Sequence, residues 1–341
     1  MRIANPIISG SGLEVYHQRL ALGLSKMGIE SEVYKFSPRW EFFPWALRWK
    51  AKAIMKSGFT CDLIHSHAEF GFFFRRKGKP LVVTLHHSSI DSEYLAASAL
   101  PLRLHHQFFL KPHVKQTMGL ADRLVAVSHH TKTTFCELFQ RDFEIQVIYN
   151  GIDPHVFRPL EVQSSPAKRP IVVFFSGNPT YRKGFDLMAP VMKRLGSDFV
   201  LHYTAGLRNS LPAKPLPISN IKCVGVLPET ELVKEINRAD IAFQPSRREG
   251  FGLSILEAMA CGKPVVSTNC SAIPEILDHG KGGFLCEVDS VDQMVAAIRN
   301  LGHSFELRQE MGNYNRRAVL GRFTLQHMSN RYGELFRGLL A

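Results

Sequence analysis

The stretch RREGFGLSILEAMACGKPVVS, residues 247–267, decides how the second half of this chain folds. Leu253, Leu256 and Ala260 recur at the spacing of one helix face, after a glycine-containing turn at residues 251–252. A glycine and a proline then predict the end of the helix, and β-branched residues predict a strand directly after it. The residues that end the helix are Gly262 and Pro264, and the predicted strand covers residues 265–268.

Two glutamates frame this loop and helix. Glu249 precedes the turn, and Glu257 lies eight residues later, about one turn inside the helix. A glycine loop that enters a helix leaves backbone N–H groups unpaired at the positive end of the helix dipole, which favours an anion such as phosphate. Because a carboxylate only accepts hydrogen bonds, two of them beside a phosphate site indicate a ligand that also carries hydroxyl groups, as a nucleotide sugar does. The alternative is an ordinary helix with two glutamates exposed to solvent.

At these residues the chain resembles a known family. The run EGFGLSILEAMACGKPVV, residues 249–266, is similar to the E-x7-E signature of the retaining glycosyltransferases of family 4, which have the two-domain GT-B fold. The resemblance implies that Glu249 holds hydroxyls of the donor sugar and that Glu257 holds the nucleotide ribose. It also implies that the backbone amides between them face the sugar and the diphosphate. These amides belong to Phe251, Gly252, Leu253 and Ser254.

The bulk composition describes an ordinary folded protein with a basic surplus. Of the 341 residues, 45% are hydrophobic and 21% are charged, which fits two globular domains and excludes a disordered chain. The net charge of +12 favours an anionic partner, which could be a nucleic acid, an anionic membrane or a phosphorylated substrate. The six cysteines have neither disulfide nor zinc spacing and indicate a reducing compartment. With no secretion signal and no run of ~18 apolar residues, we expect a cytoplasmic protein.

The first half of the chain has the pattern of a doubly wound domain. An apolar run at residues 2–8 predicts a strand, residues 9–12 a glycine turn, and residues 13–27 a helix. The turn lacks the third glycine of a dinucleotide fingerprint, which disfavours an oxidoreductase. In the family that the chain resembles, this turn lets the backbone approach the donor phosphates. The resemblance therefore gives that role to Gly12, and the alternative is a plain tight turn.

Two further apolar runs, residues 62–65 and 80–85, predict buried parallel strands. Histidines stand at their carboxyl ends, namely His65 and His67 for the first run and His86 and His87 for the second. Ligands of open parallel sheets bind outside the carboxyl ends of the strands, so we expect these histidines at the ligand-binding edge. The run LVVTLHHSS, residues 81–89, resembles the family's strand and histidine that contact the donor sugar, which implies that His86 lies in the active site. Metal binding by the histidine pairs is a poor alternative, because adjacent strand residues point to opposite faces.

Two segments combine aromatic with basic residues. Residues 38–59 hold all three tryptophans among five arginines and lysines, and residues 72–77 read FFFRRK. Such segments can lie in a bilayer interface, although a core helix with a solvated basic face is an open alternative. The second run favours peripheral contact with an anionic membrane. Residues 90–116 are also basic and aromatic, and this pattern predicts a helix that would tolerate an anionic acceptor.

A polar, proline-containing stretch at residues 154–170 predicts an interdomain linker, and a strand at residues 171–175 leads into the loop SGNPTYRKG. Two cations beside glycines at a strand end suit a diphosphate leaving group. Asn178 stands where many family members carry an arginine, but the later pair Arg182 and Lys183 resembles a variant of the lipopolysaccharide-core glucosyltransferases. The alternative is a solvated surface pair.

Strands are predicted at residues 199–204, 221–224 and 241–244, with a helix at residues 229–239. The resemblance places the nucleotide base beside Val226 and Leu227. The chain has no D-x-D, and we expect its E-x-D, residues 287–289, to lie in a solvated loop far from the site. Neither a metal nor a cofactor is therefore expected, since the nucleotide sugar is a substrate.

The sequence thus predicts an α/β protein with the GT-B fold, in which two doubly wound, Rossmann-like domains face a central cleft. We expect an acceptor-binding domain at residues 1–160, a nucleotide-sugar domain at residues 161–321, and a helix at residues 322–341 that crosses back.

The predicted activity is retaining, metal-independent transfer of a hexose from a nucleotide sugar to a saccharide or glycolipid acceptor in cell-surface glycan assembly. UDP-glucose is the first expected donor and GDP-mannose the next. The alternatives are a nucleotide-sugar epimerase on the same fold and a basic nucleic-acid-binding protein. The sequence contains no nucleic-acid-reading motif, so we expect no nucleic-acid partner.

Overall fold

The computed structural model describes residues 1–8, 12–37, 49, 61–86, 100–161, 169–206 and 218–341. The chain divides into two compact units, Met1–Gly151 with Leu325–Ala341, and Ile152–Thr324. The divisions at 151/152 and 324/325 lie nine and three residues from the predicted boundaries at 160/161 and 321/322.

The first unit is built on a parallel sheet. Its described strands are β1 (Arg2–Ile8), β2 (Glu30–Phe36), β3 (Leu63–His67), β4 (Leu81–Leu85), β5 (Arg123–Ala126) and β6 (Ile145–Val147). Across the sheet they run β2-β1-β3-β4-β5-β6, so the winding direction reverses between β1 and β3. Its described helices before the chain enters the second unit are α1 (Gly12–Ser25), α2 (Leu100–His105), α3 (Lys111–Leu120) and α4 (His129–Phe139).

The central strands of this sheet are apolar because both of their faces are covered. Every residue of β3 and β4 is buried, as expected for a parallel sheet between two layers of helices. Leu81, Val83 and Leu85 enter one core cluster, and Leu63 and Val82 enter another. The predicted buried strands at residues 62–65 and 80–85 are therefore confirmed, with small shifts at their ends.

The second unit repeats the architecture. Its described strands are β7 (Ile171–Phe175), β8 (Phe199–Thr204), β9 (Ile221–Gly225), β10 (Ile241–Gln244), β11 (Val265–Thr268) and β12 (Gly283–Cys286). They run β12-β11-β10-β7-β8-β9, all parallel, and the winding reverses between β7 and β10. The described helices are α5 (Met188–Leu195), α6 (Glu229–Arg238), α7 (Leu253–Ala260), α8 (Ile273–Ile276), α9 (Val291–His303) and α10 (Phe305–Arg322).

The last helix, α11 (Leu325–Leu340), belongs to the first unit. It approaches α1 closely, because a Cβ added at Gly23 would lie only 2.8 Å from the Cβ of Ser329. The buried hydroxyl of Tyr16 donates to the hydroxyl of Tyr332 at 2.6 Å. The chain therefore contributes its two ends to one core.

The fold class predicted from the sequence is confirmed. Both units are doubly wound, and the strands predicted at residues 171–175, 199–204, 241–244 and 265–268 have those bounds in the structure. In such sheets ligands bind beyond the carboxyl ends of the strands, at the point where the winding reverses. In the second unit that point lies between β7 and β10.

Candidate active site

The reversal of strand order in the second unit brings two loops together. β7 and β10 are neighbours, with Val173 opposite Ile241. Connections from two such strands leave toward opposite faces of the sheet, which opens a crevice beyond their carboxyl ends. The loop after β7 carries Lys183 and the loop after β10 carries Glu249, so these side chains meet although 66 residues separate them.

The carboxylate of Glu249 is buried and multiply bonded. Only 6% of the residue is exposed, and its Oε1 accepts hydrogen bonds from Lys183 Nζ and, at 2.8 Å, from Ser246 Oγ. Burial by itself would raise the pKa of Glu249, but the charges of Lys183 and Arg182 and these hydrogen bonds outweigh burial and lower the pKa from 4.5 to about 2. Glu249 is therefore ionised at neutral pH and presents only hydrogen-bond acceptors.

Arg182 converges on the same carboxylate. Its Nη1 donates to the carbonyl oxygen of Arg248 at 2.9 Å and lies 3.5 Å from Glu249 Oε2. The Lys183 side chain is 13% exposed and that of Arg182 is 34% exposed. The pair is thus not a solvated surface pair, and the two predicted cations flank the predicted acid.

Arg247 connects the two loops, and it is not among the site residues predicted from the sequence. Its guanidinium donates two hydrogen bonds of 2.7 Å to the Asp186 carboxylate and one of 2.5 Å to the carbonyl oxygen of Tyr181. It also packs over the Tyr181 ring, with Cζ 3.7 Å from the ring centroid. The Arg247 backbone N–H donates to the Arg182 carbonyl oxygen at 2.8 Å. Arg247 therefore fixes the loop that carries both cations.

These contacts favour the charged forms on both sides. The hydrogen bonds from Arg247 lower the pKa of Asp186, and those to Asp186 and Asp289 raise the pKa of Arg247. The adjacent arginines before Glu249 were the only sequence signal. Nothing in their spacing indicates partners 61 residues upstream and on a later loop.

The structure corrects the expectation that the E-x-D at residues 287–289 lies far from the site. Asp289 Oδ1 lies 2.8 Å from Arg247 Nη2, and the Asp289 side chain is 50% exposed. This loop is solvated, as predicted, but it is anchored to the residue two positions before Glu249. Across the described residues, no three His, Cys, Asp or Glu side chains are placed to hold a metal ion.

The N-terminus of α7 carries the backbone amides that the sequence predicted to face a diphosphate. Gly252 precedes the helix with a φ of 106°, in the left-handed region that favours glycine. No side chain of the described residues caps the helix by a hydrogen bond. The amides of Leu253 and Ser254 begin the first turn, where the helix itself supplies no acceptor. The Ser254 Oγ is buried and has no hydrogen-bond partner in the described structure. The first turn therefore offers several donors to a ligand.

The second glutamate of the signature is also buried. Glu257 lies inside α7 and is 8% exposed, so the alternative of two solvent-exposed glutamates is wrong. Phe251 turns its side chain into the core and packs edge-on against Phe323, with ring centroids 6.0 Å apart. Only the backbone of Phe251 is therefore left to face a ligand.

Val226 and Leu227 follow β9. The preceding Gly225 has a φ of 80°, and its carbonyl oxygen accepts a hydrogen bond from Ala205 N at 2.9 Å. Val226 is 52% exposed and Leu227 is half-buried. Since β8 separates β9 from β7, this turn lies roughly 10 Å across the sheet from the end of β7.

The remaining predicted site residues, Gly12 and His86, lie in the first unit. Gly12 starts α1, and His86 directly follows β4. The half-buried His86 ring packs edge-on against Tyr16 of α1, with centroids 4.4 Å apart. Residues 9–11 of the glycine turn lie outside the described residues.

The neighbouring His65 belongs to the core of the first unit. It is fully buried, with Nδ1 3.0 Å from Asn5 Oδ1 and Nε2 2.8 Å from Thr84 Oγ1. Burial lowers its pKa to about 3. Both ring nitrogens are thus used internally, so the expectation that His65 lies at the ligand-binding edge is wrong. The contact of His86 with the donor sugar stays a prediction.

The aromatic–basic segment at residues 38–59 lies outside the described residues except for Trp49, which is 81% exposed. Its contact with a membrane stays a prediction. No helix among the described ranges is both long enough and apolar enough to cross a bilayer.

Two family models match the chain. The model for glycosyl transferases group 1 matches residues 157–318, and the model for glycosyltransferase family 4 matches residues 31–156. An uncharacterised glycosyltransferase of Methanocaldococcus jannaschii is 27% identical over 259 residues, which are 74% of this chain and 68% of that protein. The alignments with the next two relatives cover 60% and 56% of their lengths, so the chain spans little more than half of those proteins.

Solved structures show the same architecture over the whole chain. Sucrose-phosphate synthase from Thermosynechococcus elongatus has a TM-score of 0.84 at 17% identity, with 99% of both chains covered. HepE of Anabaena, solved in complex with UDP-glucose, has a TM-score of 0.76 at 20% identity, with 99% of this chain and 100% of that chain covered. The two adjoining family models and this shared fold lead to one conclusion: the chain belongs to the family 4 glycosyltransferases and has the GT-B fold.

Proposed function

We propose that this chain is a retaining, metal-independent glycosyltransferase that moves a hexose from a nucleotide sugar to a saccharide or lipid-linked saccharide in cell-surface glycan assembly. The observation that carries the proposal is the buried, ionised carboxylate of Glu249, held by two cations and a serine hydroxyl after the strand that reverses the winding. UDP-glucose is the first donor to test and GDP-mannose the second. The likeness to HepE, whose structure contains UDP-glucose, supports that order.

The site has separate partners for each part of such a donor. The open first turn of α7 suits the diphosphate, because its amides and the helix dipole favour negative charge. Glu249 accepts hydrogen bonds from sugar hydroxyls, and Glu257 accepts them from the ribose. Val226 and Leu227 flank the base. In the first unit, Gly12 approaches the phosphates and His86 contacts the sugar.

Arg182 and Lys183 stabilise the charge that develops on the leaving diphosphate. Both are anchored by Glu249, and Arg182 also by the Arg248 carbonyl, so little reorganisation is needed as the bond breaks. A lysine ammonium has three donors, so Lys183 can bond to Glu249 and to the diphosphate at the same time.

The mechanism implied by the family resemblance is front-face attack. The acceptor hydroxyl bonds to the anomeric carbon on the face that the diphosphate leaves, and a donor phosphate oxygen takes the hydroxyl proton. The anomeric configuration is then retained without a covalent enzyme intermediate. The protein contributes placement and charge stabilisation.

We further propose that residues 1–160 recognise the acceptor, that residues 161–321 bind the donor, and that residues 322–341 link back to the first domain. The net charge of +12 supports an anionic acceptor or surface. A lipid-linked saccharide at the inner face of the cell membrane, as in lipopolysaccharide assembly, would supply both an acceptor and an anionic surface. A cytoplasmic enzyme with peripheral membrane contact fits that acceptor.

Neither alternative is favoured. An epimerase on this fold would convert the donor in the absence of any acceptor. A nucleic-acid-binding protein would not need a buried glutamate between two cations beside an uncapped helix.

Thermal stabilisation by a panel of nucleotide sugars tests the proposal, since a ligand that binds only the folded state raises the Tm. We expect UDP-glucose or GDP-mannose to raise the Tm of the wild type more than UDP or GDP alone. Lys183→Ala should lose most of that increase, whereas Arg238→Ala, which removes an exposed cation of α6, should keep it. If no nucleotide sugar raises the Tm, the proposed function is wrong.

Product analysis separates the finer points. Transfer should persist with EDTA, NMR of the product should show the donor's anomeric configuration, and donor alone should give no new sugar nucleotide. Inversion, a metal requirement or acceptor-free epimerisation would contradict the corresponding part of the proposal.

A further inference from the structure

One helical segment of the first unit presents a large apolar surface to solvent. α2 continues through a π-helical turn, His106–Leu110, into α3, so residues 100–120 form one rod. Its inner face enters the core through Leu110, Val114 and Met118. Between residues 100 and 109, its outer face exposes four large apolar side chains. These are Leu100 (65% exposed), Leu104 (48%), Phe108 (67%) and Phe109 (59%).

The same segment is basic and has no acidic residue. Residues 100–121 contain Arg103, Lys111 and Lys115 but neither aspartate nor glutamate. Arg103 and Lys115 are exposed, and Lys111 is half-buried. A solvated helix of a globular protein ordinarily mixes both charge signs on its outer face. Within residues 100–121, the exposed apolar side chains are accompanied by positive charge alone.

The neighbouring connection between β3 and β4 extends this character. The short helical turn Gly71–Phe74 packs on α3, since the Phe72 N–H donates to Thr117 Oγ1 at 3.2 Å and the Phe72 ring lies 5.0 Å from that of His113. The next residues add four cations and no acid. These cations are Arg75, Arg76, Lys77 and Lys79, of which Arg75 is paired with Asp122.

We propose that Leu100, Leu104, Phe108 and Phe109, with Arg103, Lys111 and Lys115, form a docking face that lies on a bilayer rich in anionic lipid. The leucines and phenylalanines would enter the boundary between headgroups and acyl chains, and the cations would contact phosphate headgroups. The choice of a lipid surface rests on this charge complementarity and on the exposed apolar area.

Other occupants fit less well. A second copy of the chain would bring Arg103, Lys111 and Lys115 against their own counterparts, and like charges oppose such an interface. A single-stranded nucleic acid could stack on Phe108 and Phe109, but Leu100 and Leu104 offer no stacking surface. Self-association and oligonucleotide binding of the same variants are therefore measured beside vesicle binding.

The docking face deepens the proposed function, because a lipid-linked acceptor would then be met at the membrane surface. Its evidence is separate from that of the donor site, so it is tested without any nucleotide sugar. The purified full chain is sedimented with vesicles of phosphatidylcholine, or of phosphatidylcholine containing phosphatidylglycerol, and the bound fraction is measured against lipid concentration.

We expect binding to the phosphatidylglycerol vesicles and little binding to phosphatidylcholine alone. Phe108→Ser/Phe109→Ser should weaken binding by at least about ten-fold, because two apolar anchors are lost. Arg103→Gln/Lys115→Gln should weaken vesicle binding by roughly thirty-fold at low salt, because each of the two cations contributes about one contact with an anionic headgroup.

Two matched controls come from the second unit. Phe305→Ser removes a phenylalanine that is 61% exposed, and Lys234→Gln/Arg238→Gln removes two exposed cations. Both should bind vesicles like the wild type, and unchanged melting curves should show that all variants are folded. The proposal is overturned if the wild type does not bind anionic vesicles, or if the Phe108→Ser/Phe109→Ser variant binds them as tightly as the wild type. It is also overturned if that variant loses self-association or oligonucleotide binding but keeps its affinity for vesicles.

Discussion

Lys183 and Glu249 form a buried ion pair across the crevice between β7 and β10, with side chains that are 13% and 7% exposed. Each charge is tolerated in this place because the other is present. Arg182 and Ser246 complete the set of donors to the carboxylate. The charge state of the site therefore depends on all of these residues together, and single substitutions should have effects beyond the loss of one contact.

The first prediction concerns the charge of Glu249. Glu249→Gln keeps the shape of the side chain but removes an acceptor and leaves Lys183 and Arg182 without their counter-charge. We expect kcat/KM for transfer to fall by about 100-fold or more, as when one preorganised polar partner is removed from an active site. Initial rates with the best donor measure this. Glu231→Gln, at an exposed ion pair of α6, is the control. Wild-type turnover in the Glu249 variant would refute the site assignment.

The second prediction is a pH dependence of stability. The pKa of Glu249 falls from 4.5 to about 2 on folding, so its contribution is full above pH 4.5 and is lost as the pH falls toward 2. The shift corresponds to about 3 kcal/mol. Urea unfolding at pH 7, 5 and 3.5 should show the stability difference between the wild type and Glu249→Gln shrinking below pH 4.5. A constant difference across this range would mean that the carboxylate is not stabilised in its charged form.

The third prediction concerns Arg247 as a positioning residue. A lysine cannot make its forked contact with Asp186 while bonding to Asp289 and Tyr181. Arg247→Lys should therefore raise KM for the donor about ten-fold with a smaller change in kcat, and Arg247→Ala should also cost about 2 kcal/mol of stability. Steady-state kinetics and urea unfolding give both quantities. Arg238→Lys, at an exposed site, should change neither KM nor stability. If Arg247→Lys keeps the wild-type KM, the contacts of Arg247 have no role in donor binding.

The fourth prediction concerns the entry into α7. Gly252 has a φ of 106°, and an added Cβ would lie 3.1 Å from Ile276 Cδ1. Gly252→Ala should cost about 1–3 kcal/mol and weaken donor binding, because strain at this residue moves the first-turn amides. Gly196 also has a positive φ, of 80°, but open space around it. Gly196→Ala should therefore destabilise the fold without changing the donor-induced rise in Tm; equal effects of both substitutions on donor binding would contradict an anion site at α7.

Local patterns in the sequence predicted much of the fold. β7, β8, β10 and β11 were found because strands of a parallel sheet are short, continuous apolar runs bounded by turn residues. Glu249, Glu257 and the glycine turn before α7 lie within nine consecutive residues, so their relation could be read from spacing alone.

Contacts between distant segments could not be read in this way. The sequence offered Arg182 and Lys183 as cations beside a strand end, but their convergence on Glu249 requires β7 and β10 to be adjacent. Arg247 was missed for the same reason, since Asp186 and Asp289 lie on loops that follow two other stretches of the chain. The expectation that residues 287–289 lie far from the site failed because the contact of Asp289 with Arg247 depends on how the loops after β10 and β12 pack together.

The sequence by itself determined the alternation of strands and helices, the glycine that opens α7 and the presence of two acids at a fixed spacing. These depend on backbone conformation and on hydrophobic periodicity, which act over a few residues. The tertiary structure decided which strands are neighbours. With them it decided the ion pair, the cations that keep the buried Glu249 charged, and the contacts of Arg247 with Asp186 and Asp289. These depend on desolvation and on charges contributed by separate loops, which exist only once the sheet has assembled.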